Sequence, residues 1–180
     1  MDELTIIHED YSSQNVNAGL NALERLANGE DVVENAMSRY DIGIYGADTR
    51  IAFYWGDTGD PEKGFRKGYG VSHIGAKHGV DSLFHALEVI DKGTIDRYVE
   101  GNKTVVLTDG QYEALLALTR NGVKETWLFN GWRKKENADE TSEVSTQSGS
   151  TQINPTFSRD DLGAAISEYK NKNKTLKTNK

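Results

Sequence analysis

The side chains best suited to proton transfer and phosphate binding stand close together in KGYGVSHIGAKHG, residues 67–79: His73 and His78, with Lys77 beside the second. Metal-free RNA cleavage needs a base for the ribose 2′-OH proton, an acid for the leaving 5′-oxygen, and positive charge on the transition state. Histidine moves protons near neutral pH, while lysine and arginine supply fixed charge. A helix over 71–79 makes His73 and Lys77 i,i+4 neighbours on one face and leaves His78 about 100° further round. The preceding stretch, GDTGDPEKGFRKGYG (56–70), holds five glycines and one proline and reads as a long loop carrying the basic pair Arg66 and Lys67. The same histidines could instead be packed or surface residues of a short helix.

Other chemistries fit less well. GxxxxGK[ST] is absent and no GxGxxG follows a strand, so there is no nucleotide-phosphate loop. There is no HExxH, the His–His spacing is five, and no third ligand stands nearby, so no metal or other cofactor is expected. The chain has no cysteine, which excludes disulfides, thiolate metal sites and a cysteine nucleophile. His85 lies among apolar neighbours and reads as structural; His8 lies near the N-terminus. Trp127 and Trp132 fall on opposite faces of a regular strand, so one fills the core while the other, or Tyr69, is free to stack on a base.

The elements that position these residues are legible from periodicity. Val16, Leu20, Leu23 and Ala27 predict a helix over 16–28 with Gly29 as its stop, and a second helix is expected over about 31–39. Residues 40–50 read as a turn-rich connection and 51–56 as a short aromatic strand. Ser82 caps a predicted helix over 82–93 that ends at Gly93. Strands are expected at 94–101, 103–110, 111–120 and 123–132, the last two joined by Asn121-Gly122, a strong hairpin signal. QYEALLALTR has helix propensity but sits between two turn signals, which favours strand. The fold class is therefore α+β, with N-terminal helices followed by a four- to five-stranded antiparallel meander.

Charge divides the chain further. Residues 1–60 carry 12 acidic and 3 basic side chains, 61–132 carry 9 of each, and 133–180 carry 7 and 9. Residues 61–80 hold four basic residues against Glu62, enough for a small phosphate site but not a broad electropositive face. The domains are then an acidic N-terminal helical segment (1–39), a core (40–133), a polar linker (134–157), and a short helix with a basic tail (158–180) capped by Ser158. The core is expected to come mainly from residues before 133. MDELTIIHEDYSS lacks a basic start or apolar run, and no stretch approaches a membrane span, so a cytoplasmic protein without a membrane partner is expected.

WGDTGDPEKGFRKGYGVSHIGAKHG, followed by a short helix, a meander and KETWLFNGW, resembles the phage-type barnase–EndoU–colicin–RelE-like nucleases over residues 40–133. The resemblance implies a metal-independent endoribonuclease of toxin type on a barnase- or colicin-like scaffold. It would be associated with phage or prophage, act on RNA such as tRNA in the host bacterial cytoplasm, and have an antitoxin or immunity protein as partner. Delivery with a phage particle is compatible with the same reading. His73 and His78 match the histidine motif with Lys77 between them, Arg66 and Lys67 the basic loop, and Thr126 and Trp127 the last strand. Asn130 stands where members commonly carry threonine. The implied catalytic group is His73, His78, Lys77, Asn130 and Thr126; the implied substrate contacts are Arg66, Lys67, Tyr69, Ser72 and Trp127. The rival reading keeps this fold without catalysis, as a protein-binding or structural module, and the acidic 1–60 segment favours it.

Overall fold

Val16, Leu20 and Leu23 recur at helical spacing in the first helix, α1 (Gln14–Ala27), which buries Leu20, Leu23 and Leu26. The computed structural model describes residues 14–42, 49–99, 101, 103–134 and 156–178. The helix expected over 31–39 is instead strand β1 (Val32–Arg39). Its adjacent valines suit a pleated strand. An irregularity in its pairing between Val33 and Met37 breaks the alternation, so the buried residues Val33, Ala36 and Met37 imitate a helical face in the sequence. β1 pairs antiparallel with β2 (Thr49–Tyr54), the expected aromatic strand. Residues 43–48, His8 and most of 134–157 lie outside the described residues.

Beyond the loop stand a 3-10 turn (Pro61–Lys63), helix α2 (Gly70–His73), a π-helical turn (Ile74–His78) and helix α3 (Val80–Lys92). Ser82 does not cap α3, which starts two residues earlier; its hydroxyl donates to the His78 carbonyl one turn back at 3.0 Å. Gly93 ends the helix as expected, donating its N–H to the Val89 carbonyl at 2.7 Å.

Strands β3 (Thr94–Val99), β4 (Thr104–Thr108), β5 (Tyr112–Arg120) and β6 (Val123–Arg133) form an antiparallel meander. Pairing on both sides holds β5 as a strand despite its helix propensity. Asn121 at φ 53° and Gly122 at φ 83° supply the two left-handed residues of a tight hairpin. The meander is only part of the sheet. β2 joins β6 in parallel at Ala52–Trp127 with β1 beyond it, so six strands run β1-β2-β6-β5-β4-β3. The chain is thus α+β with an N-terminal helix and an open mixed sheet, one strand larger than the biggest sheet expected and not wholly antiparallel.

One sheet face, through Ile51, Phe53, Leu107, Leu116 and Leu128, packs with Leu23 of α1 and Leu83, Leu87 and Ile90 of α3. The other face carries a smaller cluster of Ala52, Ala117 and Trp127, flanked by Tyr54, Tyr69 and Phe129, with no helix residue in it among the described residues. The last helix, α4 (Arg159–Thr178), corrects one expectation, its length, and adds to the core. It is long, taking in most of the lysine-rich stretch, and Phe157, Leu162 and Ile166 enter the main core. Ser158 does cap it: the Asp161 N–H donates to Ser158 Oγ at 3.2 Å and the Ser158 N–H to the Asp161 carboxylate at 2.9 Å.

Arg159 ties α4 to the end of α1. Its Nη1 donates to the Leu26 and Glu30 carbonyls, both at 2.6 Å, and its Nη2 to Asp31 at 2.8 Å. Removing these charge-assisted bonds in Arg159→Ala is expected to lower the unfolding free energy by about 2 kcal/mol. Urea melts of the two proteins check this, and a midpoint left in place would show that water replaces the bonds without loss. Among the described residues no helix is long and apolar enough to cross a membrane.

Candidate functional site

The loop before α2 folds back into a narrow ribbon through backbone bridges Asp57–Tyr69 and Asp60–Arg66. The Asp60 carboxylate accepts the Glu62 N–H at 2.9 Å, and Asp57 accepts the Gly59 N–H at 2.8 Å. Near its tip Phe65 and Lys67 adopt φ 63° and 65°, a conformation costly for residues with a Cβ. For Phe65 the compensation is burial: its ring lies edge-on to His73 with centroids 6.5 Å apart. The His73 Nδ1 lies 2.9 Å from the Thr58 carbonyl. A carbonyl only accepts, so Nδ1 carries the proton and the neutral ring presents Nε2 as an acceptor.

The π turn changes the geometry expected of 71–79. In a turn closed by i→i+5 bonds, residues five apart come together as residues four apart do in an α-helix. His73 and His78 accordingly meet with ring centroids 5.8 Å apart and planes at 78°. Burial pushes both rings below their ordinary pKa, with the exposed Lys77 adding to the effect; His78 is lowered to about 4. Both are neutral at pH 7. The His78 Nε2 is buried without a hydrogen-bond partner among the described residues.

His78 also meets the sheet, 6.3 Å between centroids from Trp132. On β6, Leu128 pairs with Leu116 but Asn130 pairs with Leu115, so Phe129 is an extra residue, a β-bulge. Trp127 lies opposite Ala117 and Trp132 opposite Glu113, and residues four apart on β5 share a face. The two tryptophans are therefore on the same face, contrary to the expectation for a regular strand. Asn130 joins them there. Its Oδ1 accepts the Gly131 N–H at 2.8 Å, leaving the amide NH2 as its donor end.

Two carboxylates complete this face. Trp132 Nε1 donates to Glu113 at 2.9 Å, and the buried Glu113 lies 3.8 Å from Arg97. At the other end the Tyr54 hydroxyl donates to Glu125, and the Arg120 guanidinium sits 4.1 Å above the Tyr54 ring. Burial, reinforced by Glu125, pushes Tyr54 up to about 12. Tyr69 packs edge-on to Trp127 at 5.7 Å and beside Phe129 at 6.3 Å.

Of the residues singled out in the sequence, His73, His78 and Lys77 gather at the π turn, and Tyr69, Trp127 and Asn130 belong to the adjoining open face. Arg66 and Lys67 are exposed on the ribbon, and Thr126 is half-buried on β6 beside Trp127. Two expected substrate contacts are packed residues instead. Ser72 is fully buried, its hydroxyl without a hydrogen-bond partner among the described residues, and Trp127 is 6% exposed with its Nε1 on the Thr119 carbonyl. The partly exposed rings on this face are Tyr54, Tyr69, Phe129 and Trp132. His85 stacks on Tyr112 at 3.9 Å, away from the site.

Sequence reasoning missed Tyr54, Glu113, Arg120, Glu125 and Phe129. Glu125–Trp127 and Asn130–Trp132 each show a two-residue alternation, but joining them into one face requires knowing the bulge. Among the described residues no three His, Asp or Glu side chains group as metal ligands. No family model, curated protein or solved structure matches this chain.

Proposed function

We propose that the protein is a metal-independent endoribonuclease of toxin type, on a scaffold similar to the phage-associated barnase–EndoU–colicin–RelE-like nucleases. The observation that carries the reading is the pair of neutral histidines brought together by the π turn beside a sheet face lined with aromatic rings. His73 is the base: with Nδ1–H on Thr58, its Nε2 takes the 2′-OH proton as that oxygen attacks phosphorus. The P–O5′ bond breaks, His78 in its protonated form gives a proton to the leaving oxygen, and a 2′,3′-cyclic phosphate and a 5′-OH result. An RNA phosphate close to both rings opposes the Lys77 charge and raises His78 toward the protonated form that this step requires. Lys77 offsets the charge of the nonbridging oxygens, the Asn130 amide donates a hydrogen bond to one of them, and Tyr69, Phe129 and Trp132 offer ring faces to bases.

The test is a gel of total RNA and purified tRNA incubated with the protein in chelator, beside the His73→Ala variant. Discrete fragments from the native protein alone support the reading; identical fragments from both remove His73 from it. The 4% exposure of His73 favours the alternative, a catalytically silent module that binds a protein partner on the open face. Absence of cleavage by micromolar protein would support that alternative.

A further inference from the structure

The histidine pair depends on a turn that the local sequence does little to hold. The π turn contains Gly75, and what occupies the space of the missing side chain comes from the far end of the chain. A Cβ on Gly75 would lie 2.4 Å from Phe157 Cε2 and 2.5 Å from its Cζ, so the Phe157 ring rests on the backbone of the turn. Phe157 is 6% exposed and stacks on Trp55, with centroids 6.0 Å apart and planes at 18°. The Trp55 carbonyl accepts the Ser72 N–H at 2.8 Å, so the same ring pair braces α2, which leads into the turn. The Arg159 guanidinium also stands over the Trp55 ring, 5.0 Å from its centroid.

The brace is itself well anchored. Arg159 is held by the Leu26 and Glu30 carbonyls and by Asp31. Leu162 and Ile166 are buried, and Tyr169 stacks on Phe84 of α3 with centroids 4.6 Å apart. α3 follows the turn directly, and its Ser82 hydroxyl holds the His78 carbonyl. The π turn is thus gripped at its middle by Phe157 and at its end by α3, and both are fixed by α4.

We infer that Phe157 is a positioning residue, pressing on Gly75 to keep the π turn formed so that His73 and His78 face one phosphate. The catalytic consequence rests on the RNA-cleavage reading above; the geometric one does not. Without the ring, the turn is free to tighten toward ordinary α-helical spacing, which separates residues five apart and carries His78 out of its buried position.

The test compares full-length native protein, Phe157→Ala, Phe157→Leu and Val105→Ala. Val105→Ala is a core truncation in β4, separated from β6 by β5. Histidine titrations are followed by NMR alongside thermal melts and cleavage rates. Phe157→Ala is expected to move the His78 midpoint up by a unit or more, with kcat down at least tenfold and KM little changed. Phe157→Leu, which folds more readily, keeps a smaller part of the same shift. Val105→Ala lowers Tm but leaves His78 where it was. An unmoved His78 midpoint in both Phe157 variants overturns the inference and reduces Phe157 to a packing residue. So does an equal shift in Val105→Ala. A shift confined to the Phe157 variants of a protein that cuts no RNA upholds the positioning role and overturns the cleavage reading.

Discussion

Alanine at position 68 is expected to destabilise the protein by about 3 kcal/mol and to detach His73 from the loop. A Cβ there would lie 2.1 Å from His73 Nδ1 and 2.4 Å from the Thr58 carbonyl oxygen, the two atoms that hydrogen-bond to each other. Neither has room to give. Thr58 is backbone inside a ribbon closed by the Asp57–Tyr69 and Asp60–Arg66 bridges, and His73 is confined between Phe65 and His78. Gly64 supplies the control, because it lies in the same loop at φ 66° with nothing within 4 Å of an added Cβ. Gly64→Ala carries only the strain of a left-handed alanine, about 1 kcal/mol. Urea unfolding measures the difference, and the His73 Nδ1–H resonance reports the lost bond. Equal destabilisation by the two substitutions would show that the loop does not grip His73.

The comparison of Gly68 with Gly64 also illustrates what a sequence conceals. Five glycines in 56–70 announce a loop, but only contact with a distant side chain distinguishes the glycine that seats a histidine from one facing open space. Where elements depend on local periodicity, as in α1, α3 and the Asn121-Gly122 hairpin, the sequence was legible. It misled where extra residues changed the period. At Val33–Met37 the irregularity gives a strand the buried spacing of a helix, and at Phe129 it brings Trp127 and Trp132 to one face. The π turn does the same within 71–79, turning two histidines on different sides of an α-helix into a facing pair. All three irregularities are set by tertiary packing, which no window of sequence contains. The β2–β6 pairing and the Phe157–Gly75 contact are hidden for a related reason, since they join segments over 70 residues apart.

Acidification tests the facing pair directly. An unfolded histidine takes up its proton near pH 6.5, whereas burial, then Lys77 and His73, hold folded His78 down to about 4. Below pH 6.5 the unfolded chain therefore binds a proton that the folded chain refuses, and stability must fall as pH falls. The slope is up to about 1.4 kcal/mol per pH unit, and the loss ceases to grow only below pH 4, where folded His78 titrates too. Over that window His78 alone is expected to remove roughly 3 kcal/mol. His73, also lowered by burial but partly supported by its bond to Thr58, acts in the same direction. Carboxylates such as Glu30, whose pKa is lowered by Arg25, also lose stabilisation in acid, so native protein alone does not isolate the effect. Subtracting the urea stability of His78→Gln at each pH removes them, because that variant keeps every carboxylate and cannot titrate at 78. A native-minus-variant stability that falls steadily from pH 6.5 to 4 means that the π turn holds His78 as a neutral ring. Parallel curves would mean that folded His78 titrates like a solvated histidine, and that the π turn does not hold it as a buried neutral ring.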